Sequence, residues 1–218
     1  MQIPSVNHEP LTFEQIRALV GRDDPTIVEV GANVGQDTRR FLGTFPEGRV
    51  FCFEPDARAI ARWRLKVRDP RATLVEAAVG SADGTVTFHV SGGRKNETST
   101  EEWNRSGSIR TPKTHLERWP WVSFPTTVEV ASVRLDTWLA AQDIDRIDFL
   151  WADVQGAEGD LIAGAAKALS MTRYFYTEYS NEEWYEGQID LAALVGLLPD
   201  FEVAEVFPMD VLFRRRGG

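Results

Sequence analysis

A single cysteine, Cys52, stands in 218 residues, so an internal disulfide is excluded. Cys52 lies in the apolar run Val50-Phe-Cys-Phe53 and reads as a buried, inert thiol, which suits a reducing compartment. No apolar run approaches membrane-spanning length, and no signal-peptide pattern opens the chain. These absences point to a cytoplasmic protein without a membrane partner. Positive charge is also scarce. Lys and Arg number 24 against 33 Asp and Glu, a net charge of −9, which argues against a general nucleic-acid binder. The local basic end Arg214-Arg215-Arg216 reads as a solvated strand tail. Gly-x-Gly-x-x-Gly and Tyr-x-x-x-Lys are both missing, which argues against a nicotinamide-dependent reductase. Internal repeats and low-complexity linkers are missing too.

What is present is the composition of an ordinary globular protein, 43% hydrophobic, long enough for one α/β domain with at most a small excursion. The organising stretch is Thr26-Ile-Val-Glu-Val-Gly-Ala-Asn-Val-Gly-Gln-Asp-Thr38. It reads as a buried strand, a turn bracketed by Gly31 and Gly35, and the start of a helix over residues 37–42. Glycine in such a turn permits positive φ and lets a ligand approach the backbone. Glu29, two residues before the first glycine, would repel a phosphate and attract an ammonium. A plain βα turn with a solvated Glu is the alternative. A second strand ends at Glu54-Pro55, 19 residues beyond Gly35, where an acid grips a ribose diol in nucleotide-binding α/β folds. The alternative for Glu54 is to cap the next helix, residues 57–67. The third strand, residues 73–76, ends in Glu76 with small Ala77, Ala78 and Gly80 beyond, leaving room for a flat adenine whose amine Glu76 would accept. Close strand–helix packing would explain the same small residues.

Upstream, Thr12 and Gln15 have capping-box spacing before a short helix, so residues 1–25 read as a helical extension over the cofactor mouth. Residues 26–218 then read as one domain. Residues 85–90 alternate with period two, with His89 on the outer phase. Residues 91–127 show no sustained period and carry Trp103, Trp119 and Trp121, a pattern that fits a substrate lid or an irregular excursion with a satellite core. Strands follow at residues 127–133, 147–152, 173–178, 201–206 and 210–213, with helices at 135–141, 158–169 and 189–198. The expected fold is therefore α/β, Rossmann-like: a mostly parallel seven-stranded sheet, helices on both faces, and a C-terminal antiparallel hairpin. Asp153 and Glu178 fall at strand tips and converge on the expected reaction face, where Asp153 would act as general base and Glu178 as a second base. A helix-capping role is the alternative for Asp153. Three carboxylates with His115 would suffice for Mg²⁺, but no ligand spacing demands a metal.

Four segments occur in a telling order: Val28-Glu-Val-Gly-Ala-Asn-Val-Gly35, Phe53-Glu-Pro55, Leu135-Asp-Thr-Trp-Leu139 and Ile147-Asp-Phe-Leu-Trp-Ala-Asp-Val-Gln-Gly-Ala-Glu158. Together they resemble the FkbM-type methyltransferase family over about residues 26–213. The resemblance implies a class I methyltransferase fold, S-adenosylmethionine as cofactor, and O-methylation of a hydroxyl on a small glycan or glycosylated natural product. Candidate cofactor contacts are Glu29, Gly31, Ala32, Asn33, Gly35, Asp37 and Thr38 at the turn, Glu54 and Pro55, Glu76 and Ala77, and Asp153. Ser106-Gly-Ser108 with His115 resembles the family's substrate loop, so Ser108, His115 and Glu158 are candidate substrate contacts. The chain departs from the family's Lys-Ile-Asp-Val-Glu-Gly by carrying Trp151-Ala-Asp-Val-Gln-Gly156. That change in local charge keeps a second expectation open, a binding module with the fold and the cofactor but little turnover.

Overall fold

The computed structural model describes residues 3–99 and 102–217. Helix α1 (Phe13–Val20) starts at the expected capping box, with Thr12 and Gln15 exchanging hydrogen bonds, and ends at Gly21 with φ of 68°. Strand β1 (Thr26–Val30) and helix α2 (Gln36–Thr44) flank the glycine turn. Strand β2 (Arg49–Phe53) leads to α3 (Ala57–Lys66), whose N-cap is Asp56. Strands β3 (Ala72–Val75), β4 (Ala78–Val79) and β5 (Gly84–Gly93) follow, then α4 (His115–Arg118) and β6 (Val122–Val133). The chain closes with α5 (Leu135–Ala140), β7 (Ile147–Ala152), α6 (Glu158–Ala163), α7 (Ala166–Ser170), β8 (Thr172–Glu178), α8 (Leu191–Leu197), β9 (Phe201–Val206) and β10 (Asp210–Arg215).

Seven strands form one sheet in the order β3-β2-β1-β7-β8-β10-β9. Neighbours from β3 to β8 run parallel, and β10 lies antiparallel to both β8 and β9, so the expected terminal hairpin is present. Alternation along each strand divides the core between two faces. Ile27, Cys52 and Phe149 pack beneath α1, α2 and α3. Val28, Leu150 and Phe175 pack beneath α5 to α8. The order reverses between β1 and β7, and there the backbones nearly touch. The Asp153 N–H donates to Val30 O at 2.9 Å, and a Cβ on Gly31 would fall 2.0 Å from Asp153 O. Gly31 also has φ of 88°, so only glycine suits both demands.

Three expectations change. Strands β5 and β6 do not join the main sheet; with β4 they make a separate three-stranded sheet, and between β5 and β6 the described residues hold one short helix, α4. The expected helix over 158–169 is two helices, broken at Gly164. A Cβ there would sit 2.1 Å from Gly80 O, so the chain bends to let another backbone pass. Helix α1 does not cover the cofactor mouth. Phe13 packs on Phe41 and Trp151 on the α2 side of the sheet. Among the described residues no helix is long and apolar enough to cross a membrane.

Two substitutions test this packing. Gly164→Ala should lower stability by about 2 kcal/mol or more, through a backbone clash. Gly43→Ala, where a Cβ would meet nothing within 4 Å, should be neutral or raise stability by up to ~1 kcal/mol. Urea unfolding midpoints of the two variants check both outcomes.

Candidate active site

A cleft enclosing about 950 Å³, open mouth included, lies over the gap between β1 and β7. In open α/β sheets that is where ligands sit. Its floor is the turn after β1, with Gly31, Ala32, Asn33 and Asp37 on the wall. Asn33 is held at φ of 45°, and its Nδ2 donates to Asn104 O at 2.8 Å, which ties the excursion down over the turn. One side wall is apolar and flat: Phe53, Pro55, Ala77, Ala78, Val79 and Phe88. Gly107, Ser108 and Ile109 of the excursion face it, and Asp153, Val154 and Gln155 close the far end.

Glu54 lines this cleft and is 5% exposed. Its Oε2 accepts from the Asn33 N–H at 2.8 Å and its Oε1 from the Asp56 N–H at 2.7 Å. The carboxylate is thus fixed by backbone at the tip of β2, with lone pairs left over for a ligand. Burial pushes it up to about 7, against the pull of those two amides.

The far end holds a hydrogen-bonded acid pair. The Gln155 Nε2 donates to Asp153 Oδ1 at 2.6 Å and to Glu178 Oε2 at 2.9 Å. Gln155 itself is pinned. Tyr185 donates to its side-chain oxygen at 3.2 Å, Ser108 donates to its backbone carbonyl at 2.7 Å, and its φ is 51°. Burial raises both acids. Glu178 stands well above the usual range, first from burial and then because Asp153, Asp210 and Glu158 crowd it with negative charge. Asp153 is held down by the hydrogen bonds from Gln155 and Glu178 and by the nearby Arg105 charge. Of the pair, Glu178 therefore holds its proton the more tightly.

Several expected contacts lie off the wall. Glu29 points to the α2 face, because the pleat puts it in register with Cys52 and Trp151. There it accepts from Thr38 Oγ1 at 2.6 Å and Cys52 Sγ at 3.5 Å, and burial pushes it up to about 8. Thr38 is buried with it. Gly35 has the expected positive φ, but its missing side chain makes room for Val67 and Trp63 rather than a ligand. Glu76 is exposed and paired with Arg64. Glu178 sits behind Gln155. Glu158 is buried, accepts from the Gly156 N–H at 3.3 Å, and is pushed up to about 7 by desolvation. His115 packs among Trp119, Phe124 and Tyr185, where burial lowers it to about 4. It is thus too far back to join the carboxylates around a metal, and among the described residues no metal-ligating cluster exists. Trp151 lies in the α2-side core, so its replacement of the family lysine leaves the cleft wall alone. Gln155, noted in the sequence only as a lost charge, is the residue that joins the two acids. Its neighbours in the chain held no sign of that, since Tyr185 and Glu178 meet it only through the fold.

The donor set fits S-adenosylmethionine. Asp37, Glu54 and Asp153 line the cleft with Arg105 as the cation among them, and more buried acids stand behind, an environment that favours a sulfonium and an ammonium. The apolar wall, with small Ala77, Ala78 and Val79 beside Phe53 and Phe88, suits a purine. A sheet of this order with this cleft is the class I methyltransferase fold. The comparisons narrow the class. The sequence matches the Methyltransferase FkbM domain over residues 29–216. It is 45% identical over 205 residues to the 2-O-methyltransferase NoeI of Sinorhizobium fredii, covering 92% of this chain and 83% of the relative. Two solved structures share the fold. The FkbM methyltransferase of Methylobacillus flagellatus has a TM-score of 0.56 at 17% identity, and the match takes in 88% of this chain but 44% of that one. An O-methyltransferase fold from Klebsiella pneumoniae, described as putative, has a TM-score of 0.52 at 13% identity, covering 98% of this chain and 83% of that one. The chain belongs to the FkbM methyltransferase family and is an S-adenosylmethionine-dependent methyltransferase.

The raised acids give the chain a pH signature. Glu29 binds its proton more tightly folded than unfolded, so its contribution is full below the unfolded value near 4.5 and is lost as pH rises through about 8. Thermal stability should therefore fall between pH 5 and 9. Glu29→Gln should flatten that fall, with a gain on the order of a few kcal/mol at pH 9. Thermal melts of both proteins across that range decide it, and an equal slope in the variant would refute the assignment.

Proposed function

We propose that the chain methylates a sugar-type hydroxyl on a small glycan or glycosylated metabolite, with Asp153 as general base. The observation that carries this is the placement of Asp153. It is a half-buried carboxylate at the cleft's end, oriented by the Gln155 amide that also holds Glu178, the acid of the pair that binds its proton the more tightly. The 2-O-methyltransferase named among the relatives supports oxygen as the acceptor atom.

S-adenosylmethionine, when bound, supplies an electrophilic methyl on a cationic sulfur. Glu54 would accept the ribose hydroxyls, with Asn33 and Asp56 holding it in place. Gly31, Ala32, Asn33 and Asp37 would surround the amino-acid end, and Pro55 and Ala77 with Val79 the adenine. Charge is dispersed rather than created as the methyl moves, so alignment and desolvation dominate the catalysis. Asp153, ~2.6–3.2 Å from the acceptor oxygen, would take its proton, while S-adenosylmethionine would supply the methyl to that oxygen, its S–C bond breaking to leave neutral S-adenosylhomocysteine. Ser108 would shape the acceptor side of the cleft through its bond to the Gln155 carbonyl rather than by direct contact. Glu178 and Glu158 act from behind: Glu178 fixes the charge state of Asp153, and Glu158 steadies the turn at Gly156. Among the described residues of the N-terminal extension, helix α1 would thicken the α2 face.

The alternative, a binding module with little turnover, had rested on Trp151 and Gln155. Trp151 is remote from the cleft and Gln155 builds the acid pair, so turnover is the better-supported reading.

Two measurements test this. Asp153→Asn should cut kcat by roughly 10²–10⁴-fold. The affinity for S-adenosylhomocysteine should change only a few-fold; methyl transfer at a near-normal rate by the variant would remove Asp153 from the role of base. Glu54→Gln should weaken S-adenosylhomocysteine binding by roughly 10–100-fold, the worth of a charged hydrogen bond. The wild type binds best with Glu54 ionised, so its affinity should decline below about pH 7. Calorimetric titrations at several pH values check that decline, which should be shallower in the variant.

A further inference from the structure

Beside the cofactor cleft lies a second groove of about 970 Å³, mouth included, and the two share Val34, Gln36, Asn104 and Arg105. Its charge is opposite to that of the cleft. Arg39 comes from α2, Arg62 and Lys66 from α3, and Lys95 and Arg105 from the excursion. One acid, Glu102, is found among the described residues of the lining, and it is turned to Arg58 at 3.5 Å.

This gathering runs against the composition, since the chain as a whole carries −9. It also runs against the habit of the same helices. On α2, Arg40 meets Asp37 at 3.1 Å; on α3, Arg64 meets Glu76. Among the described residues, Arg39, Lys66, Lys95 and Arg105 have no carboxylate within ion-pair distance. A surface that concentrates one sign raises the local concentration of an oppositely charged ligand. The groove also holds a ring face: the Arg105 guanidinium lies 5.8 Å from the centre of Trp103. Arg105 links the two cavities, and its charge is felt at Asp153.

We propose that this groove binds a phosphate or diphosphate group carried by the methyl acceptor, so that the substrate is a phosphorylated sugar rather than a neutral one. The proposal rests on the O-methyltransferase reading of the cleft and names the acceptor class. The anion would sit among cations from three separate elements, Arg105 would mark the boundary between anion and sugar, and the reacting hydroxyl would reach across it toward Asp153. The four charges of Arg39, Lys66, Lys95 and Arg105 match a diphosphate better than a single carboxylate.

The test is calorimetry on the whole chain saturated with S-adenosylhomocysteine, with inorganic pyrophosphate as the probe. Wild type should bind pyrophosphate, and the affinity should fall as salt rises. The double variant Lys66→Glu with Lys95→Glu should lose tenfold or more in pyrophosphate affinity while binding S-adenosylhomocysteine within two-fold of wild type. Uridine diphosphate and glucose 1-phosphate separate the sources: tighter binding of the first marks a nucleotide-linked sugar, and of the second a simple sugar phosphate. Equal pyrophosphate binding by wild type and variant would overturn the proposal. So would a parallel loss of S-adenosylhomocysteine affinity, which would assign the groove to the cofactor's own carboxylate. If S-adenosylhomocysteine binds and pyrophosphate does not, this inference fails alone. If S-adenosylhomocysteine does not bind at all, the reading of the cleft fails with it.

Discussion

The ends of β1 and β7 approach so closely that Gly31 has no space for a side chain. A Cβ would lie 2.0 Å from the Asp153 carbonyl oxygen, while the Asp153 N–H bonds to Val30 at 2.9 Å. That contact occurs where the strand order reverses. It fixes the backbone of Asp153 against the glycine turn, and the two neighbouring helical layers then part above it to leave the cleft. The placement of every group on the cleft floor follows from it. Asn33 takes its left-handed conformation beside the contact, and from there its N–H reaches Glu54.

The electrostatics follow from the same crowding. Carboxylates brought together away from water repel one another, so their protons are retained at unusually high pH. Glu54 and Glu158 are held up to about 7, and Asp210 to about 6, all chiefly by desolvation. This costs stability in the free chain. It also prepares a negative environment of low polarity for a cationic methyl donor, where an attractive charge is worth more than it is in water. The basic groove alongside completes a two-signed surface. The acids suit the donor, the cations suit an anionic acceptor, and the excursion that carries Asn104 and Arg105 borders both.

Much of the architecture could be read from residue order. Buried strands ending in acids, broken by glycine and separated by helical stripes, specify a parallel sheet because each local pattern agrees with it. Glu54 and Asp153 could be placed at the rim for the same reason. Glu29 could not, since its side of the sheet depends on a pleat whose phase relative to the cleft is fixed by pairing with Cys52 and Trp151. Period-two alternation in β5 and β6 announced strands but not their partners, so their separate sheet was hidden. The break at Gly164 depends on the passage of Gly80, a residue 84 positions earlier. The excursion divides between its two readings: Asn104 to Ile109 line the cleft, while Trp119 packs with His115 and Trp184 in a satellite core.

The most direct test of the account is a crystal structure of the chain with S-adenosylhomocysteine bound. The account predicts the ribose hydroxyls on the Glu54 carboxylate, the adenine against Ala77 and Val79, and the sulfur turned toward Asp153. A ligand seated outside the cleft, or one whose ribose leaves Glu54 untouched, would contradict it.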